Sequence, residues 1–333
     1  MAKGYNPTEY MYSSARLRAL ETRIATRERM RQMADAQSSN AVISQLADFG
    51  FEAVQGTEAV SREKMLESVL AGGYGEVASM ECADAIDFMR YQYDSNNIKA
   101  MIKCAARGVS PDSMLSMLGT VSIDDAKSAF AQKDYSAFSR NISSAVPQAE
   151  EAFAATSNPQ QIDFIVDRAC FADMLESAER SGIELATGLV RAKIDIVNIM
   201  MTLRLIRMDL GNMASSILND AYIEGGLYQR DQLIEALKNG EEALAQLTSR
   251  GAYETISAAI LNSRTLGEIE KLADDLWLSL ARGAKYVSFG AEIAIGYIAA
   301  LEYEVKNVRI ILAGKDAGLS ADVIRERLRD CYA

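Results

Sequence analysis

Apolar positions recur at helical spacing along nearly the whole chain. Met11, Ala15, Leu17, Leu20 and Ile24 fall close to one face and predict a helix over 8–25. Further on, polar and apolar positions follow a fixed order: Asp94, Asn97, Ile98, Ile102, Gly108, Val109, Ser110, Asp112, Met114, Leu118. The same order returns as Glu304, Asn307, Val308, Leu312, Gly318, Leu319, Ser320, Asp322, Ile324 and Leu328, every pair at one offset of 210 residues. A partial copy lies between them, with Asp195, Asn198, Ile199 and Leu203, and its glycine, Gly211, comes two residues late. Repetition at this scale predicts a body built from similar helical units.

Each copy carries its own punctuation. Gly108-Val109 and Gly318-Leu319 predict left-handed helix ends, with the following apolar residue folded back on the last turn. Ser110-Pro111-Asp112, Ser320-Ala321-Asp322 and Thr26-Arg27-Glu28 predict helix restarts: a hydroxyl to accept a free N–H, then an acid near the positive helix start. Three looser segments, 26–54, 122–146 and 228–256, each predict a short helix, a polar break and another short helix. These signals divide the chain into units over 1–120, 121–227 and 228–333. The spacings of 101 residues from Asn97 to Asn198 and 109 from Asn198 to Asn307 fit that division. Loops are expected near 72–73, 157–159, 181–182 and 225–226.

In all three copies an acid precedes an asparagine by three: Asp94/Asn97, Asp195/Asn198 and Glu304/Asn307. Residues three apart share a helix face, and each asparagine adjoins an apolar stripe. A buried carboxamide must find partners or lose about 1–3 kcal/mol. These six residues are therefore candidates for polar pins between packed helices, fixing register. Arg90 and Arg191 each precede the acid by four, the weaker orientation for a pair on one helix.

Composition sharpens the class. The chain has 333 residues, four prolines and 49% apolar content, and long segments lack glycine, which predicts an all-α globular protein. Histidine is absent, which removes the usual general base near neutral pH and the commonest nitrogen ligand for transition metals. Cys82, Cys104, Cys170 and Cys331 are scattered without a C-x-x-C pair, as in reduced, packed thiols. A net charge of −11 argues against nucleic acid as a partner and for a basic one. Residues 1–7 have no apolar core, so no signal peptide is expected there, and no apolar run is long enough to span a membrane.

Other motifs carry little chemistry. Gly73-Tyr74-Gly75-Glu76-Val77-Ala78 spells a dinucleotide fingerprint, but the residues before it read as helix where that motif needs a strand. Asp124-Asp125 and Asp274-Asp275 lack the third acid of a magnesium site in helical prenyl-transferring enzymes, and the first pair suits a helix start. Catalytic, cofactor and metal residues are therefore all expected to be absent.

The segment from Leu301 to Lys315, with Tyr303, Glu304, Asn307 and Gly314, resembles the C-terminal signature of the C subunits of V/A-type ATPases, the family that includes the eukaryotic d subunit. The segment from Arg191 to Ile199 resembles that family's middle signature, and the segment from Tyr12 to Glu21 its opening. The resemblance implies a funnel-like body of three similar helical lobes with pseudo-threefold symmetry. It implies a non-catalytic rotor part with neither nucleotide nor ion site. Such a part sits on the cytoplasmic face of the membrane, held there by the central stalk subunits and the proteolipid ring. It transmits torque between them. A helical-repeat adaptor with unrelated partners and a magnesium-dependent helical enzyme are the alternatives.

Overall fold

The computed structural model describes residues 6–47, 51 and 59–333, the side chains of 59 and 60 excepted. Most of the stretch 1–7 and the end of the segment 26–54 lie outside the described residues. Every regular element among the described residues is helical.

The helices begin where hydroxyl and amide side chains can take up free N–H groups. Thr26 caps α2 (Arg27–Asp35), Ser38 caps α3 (Ser39–Leu46), Ser122 caps α6 (Ile123–Gln132) and Ser320 caps α16 (Ala321–Arg327). Asn158 caps α8 (Pro159–Ser181), with Pro159 at the first position, where its missing N–H removes no bond. Asp124 and Asp125 both lie in the first turn of α6.

Three long helices carry the repeated pattern: α5 (Asp87–Arg107), α9 (Glu184–Met208) and α15 (Glu292–Asp316). Gly108 and Gly318 adopt φ of 65° and 68° beyond α5 and α15. Val109 donates its N–H to Cys104 O and Leu319 to Gly314 O, the longer of the two backbone bonds that close a Schellman end. In the middle copy Asp209 takes the left-handed position, at φ 47°, and Gly211 instead precedes α10 (Asn212–Ala221). The late glycine thus serves the next helix, not the end of α9.

Some expectations fail. The first helix, α1 (Met11–Glu21), is shorter than 8–25 and follows a 3-10 turn at Pro7–Tyr10. Its chain unwinds after Thr22, which frees the N–H of Ala25 for a bond to Glu304 Oε1. No helix restarts after Pro111: residues 112–114 form a turn closed by Met114 N–H on Pro111 O. The loop expected at 72–73 is the middle of α4 (Ala59–Ala78). Gly73 is needed there for close packing, since a Cβ would lie 2.2 Å from Leu301 Cδ1.

The chain forms two compact units, residues 87–270 in one and residues 1–86 with 271–333 in the other. In the discontinuous unit, α15 is buried on nearly every side, as expected of a helix apolar all round. Helices α1, α2, α3, α4 and α16 pack against it. The unit also holds most of α14 (Leu266–Ala281), whose Trp277 stacks on Tyr303 with ring centres 5.8 Å apart. In the continuous unit, α8 packs between α5, α7 (Arg140–Thr156) and α9. The short helices α11 (Arg230–Asn239) and α12 (Glu241–Leu247) cover α9, and α13 (Glu254–Leu261) follows.

Candidate functional site: three carboxylate and carboxamide clasps

The three asparagines make one and the same arrangement. Asn97 donates through Nδ2 to Ser116 O and accepts from Ser116 N–H, both at 2.8 Å. Asn198 holds Ile223 in the same way, at 2.8 and 3.0 Å, and Asn307 holds Arg329 at 3.1 and 2.8 Å. Each carboxamide closes a two-bond ring on the N–H and C=O of a single residue. A carboxylate in its place would lack the donor. All three are buried. The held residues lie in irregular backbone, not on a second helix, so the asparagines grip the chain that returns after the helix end rather than a packed helix.

The acids grip the next step of the chain. Asp94 accepts from Thr120 N–H at 3.0 Å, Thr120 Oγ1 at 2.6 Å and Val121 N–H at 3.2 Å. Asp195 accepts from Leu227 N–H at 2.7 Å, Tyr228 N–H at 3.3 Å and the Tyr253 hydroxyl at 2.7 Å. Glu304 accepts from Ala25 N–H at 2.7 Å. Val121, Tyr228 and Ala25 each stand just before the N-cap residue of a short helix: Ser122 of α6, Gln229 of α11 and Thr26 of α2. The acid therefore fixes where the following helix begins. In the third copy that helix lies at the other end of the chain, so the C-terminal copy grips the N-terminal segment.

The aspartates reach the backbone because glycine stands before the gripped residues. A Cβ at Gly119 would lie 2.1 Å from Asp94 Oδ1, and one at Gly226 2.3 Å from Asp195 Oδ1. At the corresponding place in the third copy stands Arg23, and the acid is the longer glutamate. Burial raises all three carboxyls above their ordinary values. Around Asp94 it is opposed by Thr120, Val121 and Arg90, and around Asp195 by Tyr253, Leu227 and Tyr228. Glu304 has only the Ala25 N–H to oppose burial and is pushed up to about 7.

The remaining candidates resolve individually. Arg90 donates to Leu118 O at 3.2 Å and to Gly119 O, reinforcing the loop that Asp94 grips. Arg191 makes an exposed ion pair with Glu179 instead. Burial would raise Asp274, but Lys306 at 2.9 Å and Arg329 at 2.8 Å more than offset it and hold the carboxyl below its usual range. Asp275 accepts from Asp330 N–H. All four cysteines are buried and free, and burial pushes the Cys170 thiol up to about 12. Among the described residues no group of three or more Cys, Asp or Glu is arranged to hold a metal ion. No described helix is long and apolar enough to cross a membrane.

Two contributors are invisible in the repeat. Tyr253 joins the Asp195 clasp from 58 residues away, with no counterpart in the offset pattern. Asp173 on α8 accepts from the N–H groups of Asn141 and Ile142 and from the Ser139 hydroxyl, so it caps α7 across two elements. An isolated aspartate on an amphipathic helix gives no sequence signal for such a role.

The family described as ATP synthase (C/AC39) subunit matches residues 13–327, which contain all six clasp side chains. The chain is similar to the V-type sodium ATPase C subunit of Enterococcus hirae, 23% identical over 246 residues that cover 73% of this chain and 74% of that protein. It is similar to the A-type ATP synthase C subunit of Thermococcus kodakarensis, 22% identical across 96% of this chain and 90% of that protein. The A-type ATP synthase C subunit of Halorubrum lacusprofundi is 30% identical over 151 residues, 42% of this chain and 40% of that one.

Proposed function

Because the chain belongs to the ATP synthase (C/AC39) subunit family, we propose that it is the non-catalytic C subunit of a V/A-type rotary ATPase, joining the central stalk to the proteolipid ring as part of the rotor. It passes torque between ATP turnover and proton or sodium transport, on the cytoplasmic face of the membrane, and is held there by its partners. Its three similar helical lobes, over about 1–120, 121–227 and 228–333, form a funnel with pseudo-threefold symmetry.

The observation that carries this reading is the threefold recurrence of the clasp, with the last copy closing on the first segment. A part that transmits torque must resist shear between its helices. Each clasp ties a long helix to a returning loop and to the start of the next short helix through buried, satisfied polar groups, which are stiff because slipping leaves them unpaired. The six residues Asp94, Asn97, Asp195, Asn198, Glu304 and Asn307 thus serve rigidity, not chemistry.

Photo-cross-linkers at the exposed Met114 and Met213, used in membranes that contain the whole complex, test the placement. Adducts with stalk and ring subunits are expected. Adducts only with proteins outside a rotary ATPase would replace this reading with that of a helical-repeat adaptor.

A further inference from the structure

A partly enclosed pocket of about 80 Å³ in the discontinuous unit is lined by Arg27, Arg31, Lys271, Arg325 and Arg329. Its apolar wall comes from the buried Met30 and Leu328, and no carboxylate lines it. Five cations around one small cavity are conspicuous in a chain of net charge −11. Three of the five are balanced by carboxylates outside the pocket: Arg27 by Asp330, Arg325 by Asp322 and Asp35, and Arg329 by Asp274. Among the described residues Arg31 and Lys271 make no ion pair: the Lys271 ammonium donates to the backbone O of Glu326 and acts on Asp275, four residues along α14, only through space. Arg27 and Arg31 also stand four apart on α2, a like-charge pairing that weakens a helix unless an anion lies between them.

The repeat supplies an internal control. The same junction occurs between the segment after α5 and helix α6. There Asn97 holds Ser116, an uncharged residue, where Asn307 holds Arg329 at this pocket. Lys127 stands five residues after the cap Ser122, as Arg31 stands five after Thr26. Lys127 is neutralised by Asp112 at 2.5 Å. The offset counterpart of Asp112 is Asp322, and Arg325 has taken it at 2.5 Å. The fold therefore does not need these cations at this junction.

We propose that this pocket binds a phosphoryl group, as inorganic phosphate or as the phosphomonoester of a larger molecule. Guanidinium forks match tetrahedral oxyanions through paired N–H bonds. The volume suits one such group with a little water, and it falls far short of the several hundred Å³ typical of sites for whole drug-sized ligands. A phosphoryl group there neutralises Arg31 and Lys271 and ties α2 to α14 and to the C-terminal segment.

The test uses the full chain with inorganic phosphate against chloride at matched ionic strength, so that general screening cancels. Phosphate is expected to raise Tm by a few degrees and to titrate one site per chain by calorimetry. Arg31 is exposed and bears no carboxylate partner, so Arg31→Gln leaves folding intact. Combined with Lys271→Gln it is expected to weaken phosphate binding by about tenfold or more, whereas Arg264→Gln on the other unit leaves it unchanged. Vesicles containing phosphatidic acid, with phosphatidylglycerol vesicles as control, separate the sources. Phosphatidic-acid binding displaced by phosphate and lost in the double variant assigns a lipid headgroup. Phosphate binding without vesicle binding assigns a soluble phosphate. Equal Tm in phosphate and chloride, or phosphate binding undiminished in the double variant, overturns the proposal.

Discussion

The clasps of the two units are spelled alike and held differently. In the continuous unit Asp94 and Asp195 each collect three donors, and each depends on a glycine that lets the loop come close. In the other unit Glu304 reaches farther, has no such glycine and collects one donor. The first two close loops of roughly thirty residues, while the third joins parts of the chain 279 residues apart. A local clasp can be over-determined because neighbouring residues arrive together. A clasp between chain ends relies on one bond and tolerates a carboxyl that titrates near neutrality.

The comparison is tested most severely by removing the acids. Asp195→Ala strands two N–H groups and the Tyr253 hydroxyl in the interior, and is expected to cost about 3–5 kcal/mol. Glu304→Ala strands one N–H and is expected to cost about 1–3 kcal/mol. Urea denaturation of both variants at one pH gives the ranking. Equal losses would break the distinction between an over-determined and a minimal clasp.

A smaller effect separates the two by pH. The folded-state pKa of Glu304, about 7, lies above its ordinary value of 4.5. Between those values the folded chain binds more protons than the unfolded chain, so stability falls as pH rises. The contribution of Glu304 is full below about 4.5 and gone above about 7. At about 1.4 kcal/mol per pH unit the span is at most about 3.5 kcal/mol. Glu304→Gln removes this slope; burial raises Asp94 and Asp195 as well, so any contribution of theirs has the same sign. Thermal denaturation across pH 5–8, a window of about three units, compares the two proteins. Parallel curves for wild type and variant would show that Glu304 does not titrate there.

How much of this the sequence discloses depends on where the information sits. The acid and the asparagine are legible because their side chains recur at a fixed offset. Their partners are backbone groups of Ser116, Ile223 and Arg329, and backbone N–H and C=O carry no letter. The bond from Glu304 to Ala25 is hidden further by distance along the chain. Gly73 misleads in the opposite direction: beside Gly72 it reads as a loop, yet it sits in mid-helix because Leu301 occupies the space of its Cβ. The basic pocket is hidden by dispersal, its cations lying at 27, 31, 271, 325 and 329 in a chain whose balance is acidic.

The glycines offer the next test, because they bear the aspartate clasps and not the glutamate one. Gly226→Ala places a Cβ against Asp195 Oδ1 and forces the loop or the carboxylate to shift, at a cost of about 1–3 kcal/mol. Arg23→Ala, at the corresponding place of the third copy, is expected to stay within about 0.5 kcal/mol, because Arg23 is exposed and no glycine-dependent contact exists there. Equilibrium unfolding of both variants checks the pair, and a neutral Gly226→Ala would mean the loop has room that the present geometry denies it.

The smallest effect concerns the arginines four residues before the aspartates, where the sequence has identical spacing and the structure has different work for each. Arg90 donates to Leu118 O and Gly119 O, so Arg90→Met leaves carbonyls of the gripped loop without a donor and removes a cation facing Asp94. A loss of about 1–2 kcal/mol is expected. Arg191 pairs with Glu179 in the open, where both side chains are about half exposed, 55% and 49%. Solvent screening leaves such a pair about 0–1 kcal/mol, so Arg191→Met should be close to neutral. High salt sharpens the contrast: it should shrink any effect of Arg191→Met and leave most of that of Arg90→Met, whose hydrogen bonds go to neutral carbonyls and whose ion pair with Asp87 is a longer contact at 3.8 Å. If the two variants lose stability equally at low and high salt, the arginine position is a repeat feature in its own right, and the difference between the copies lies in the acids alone.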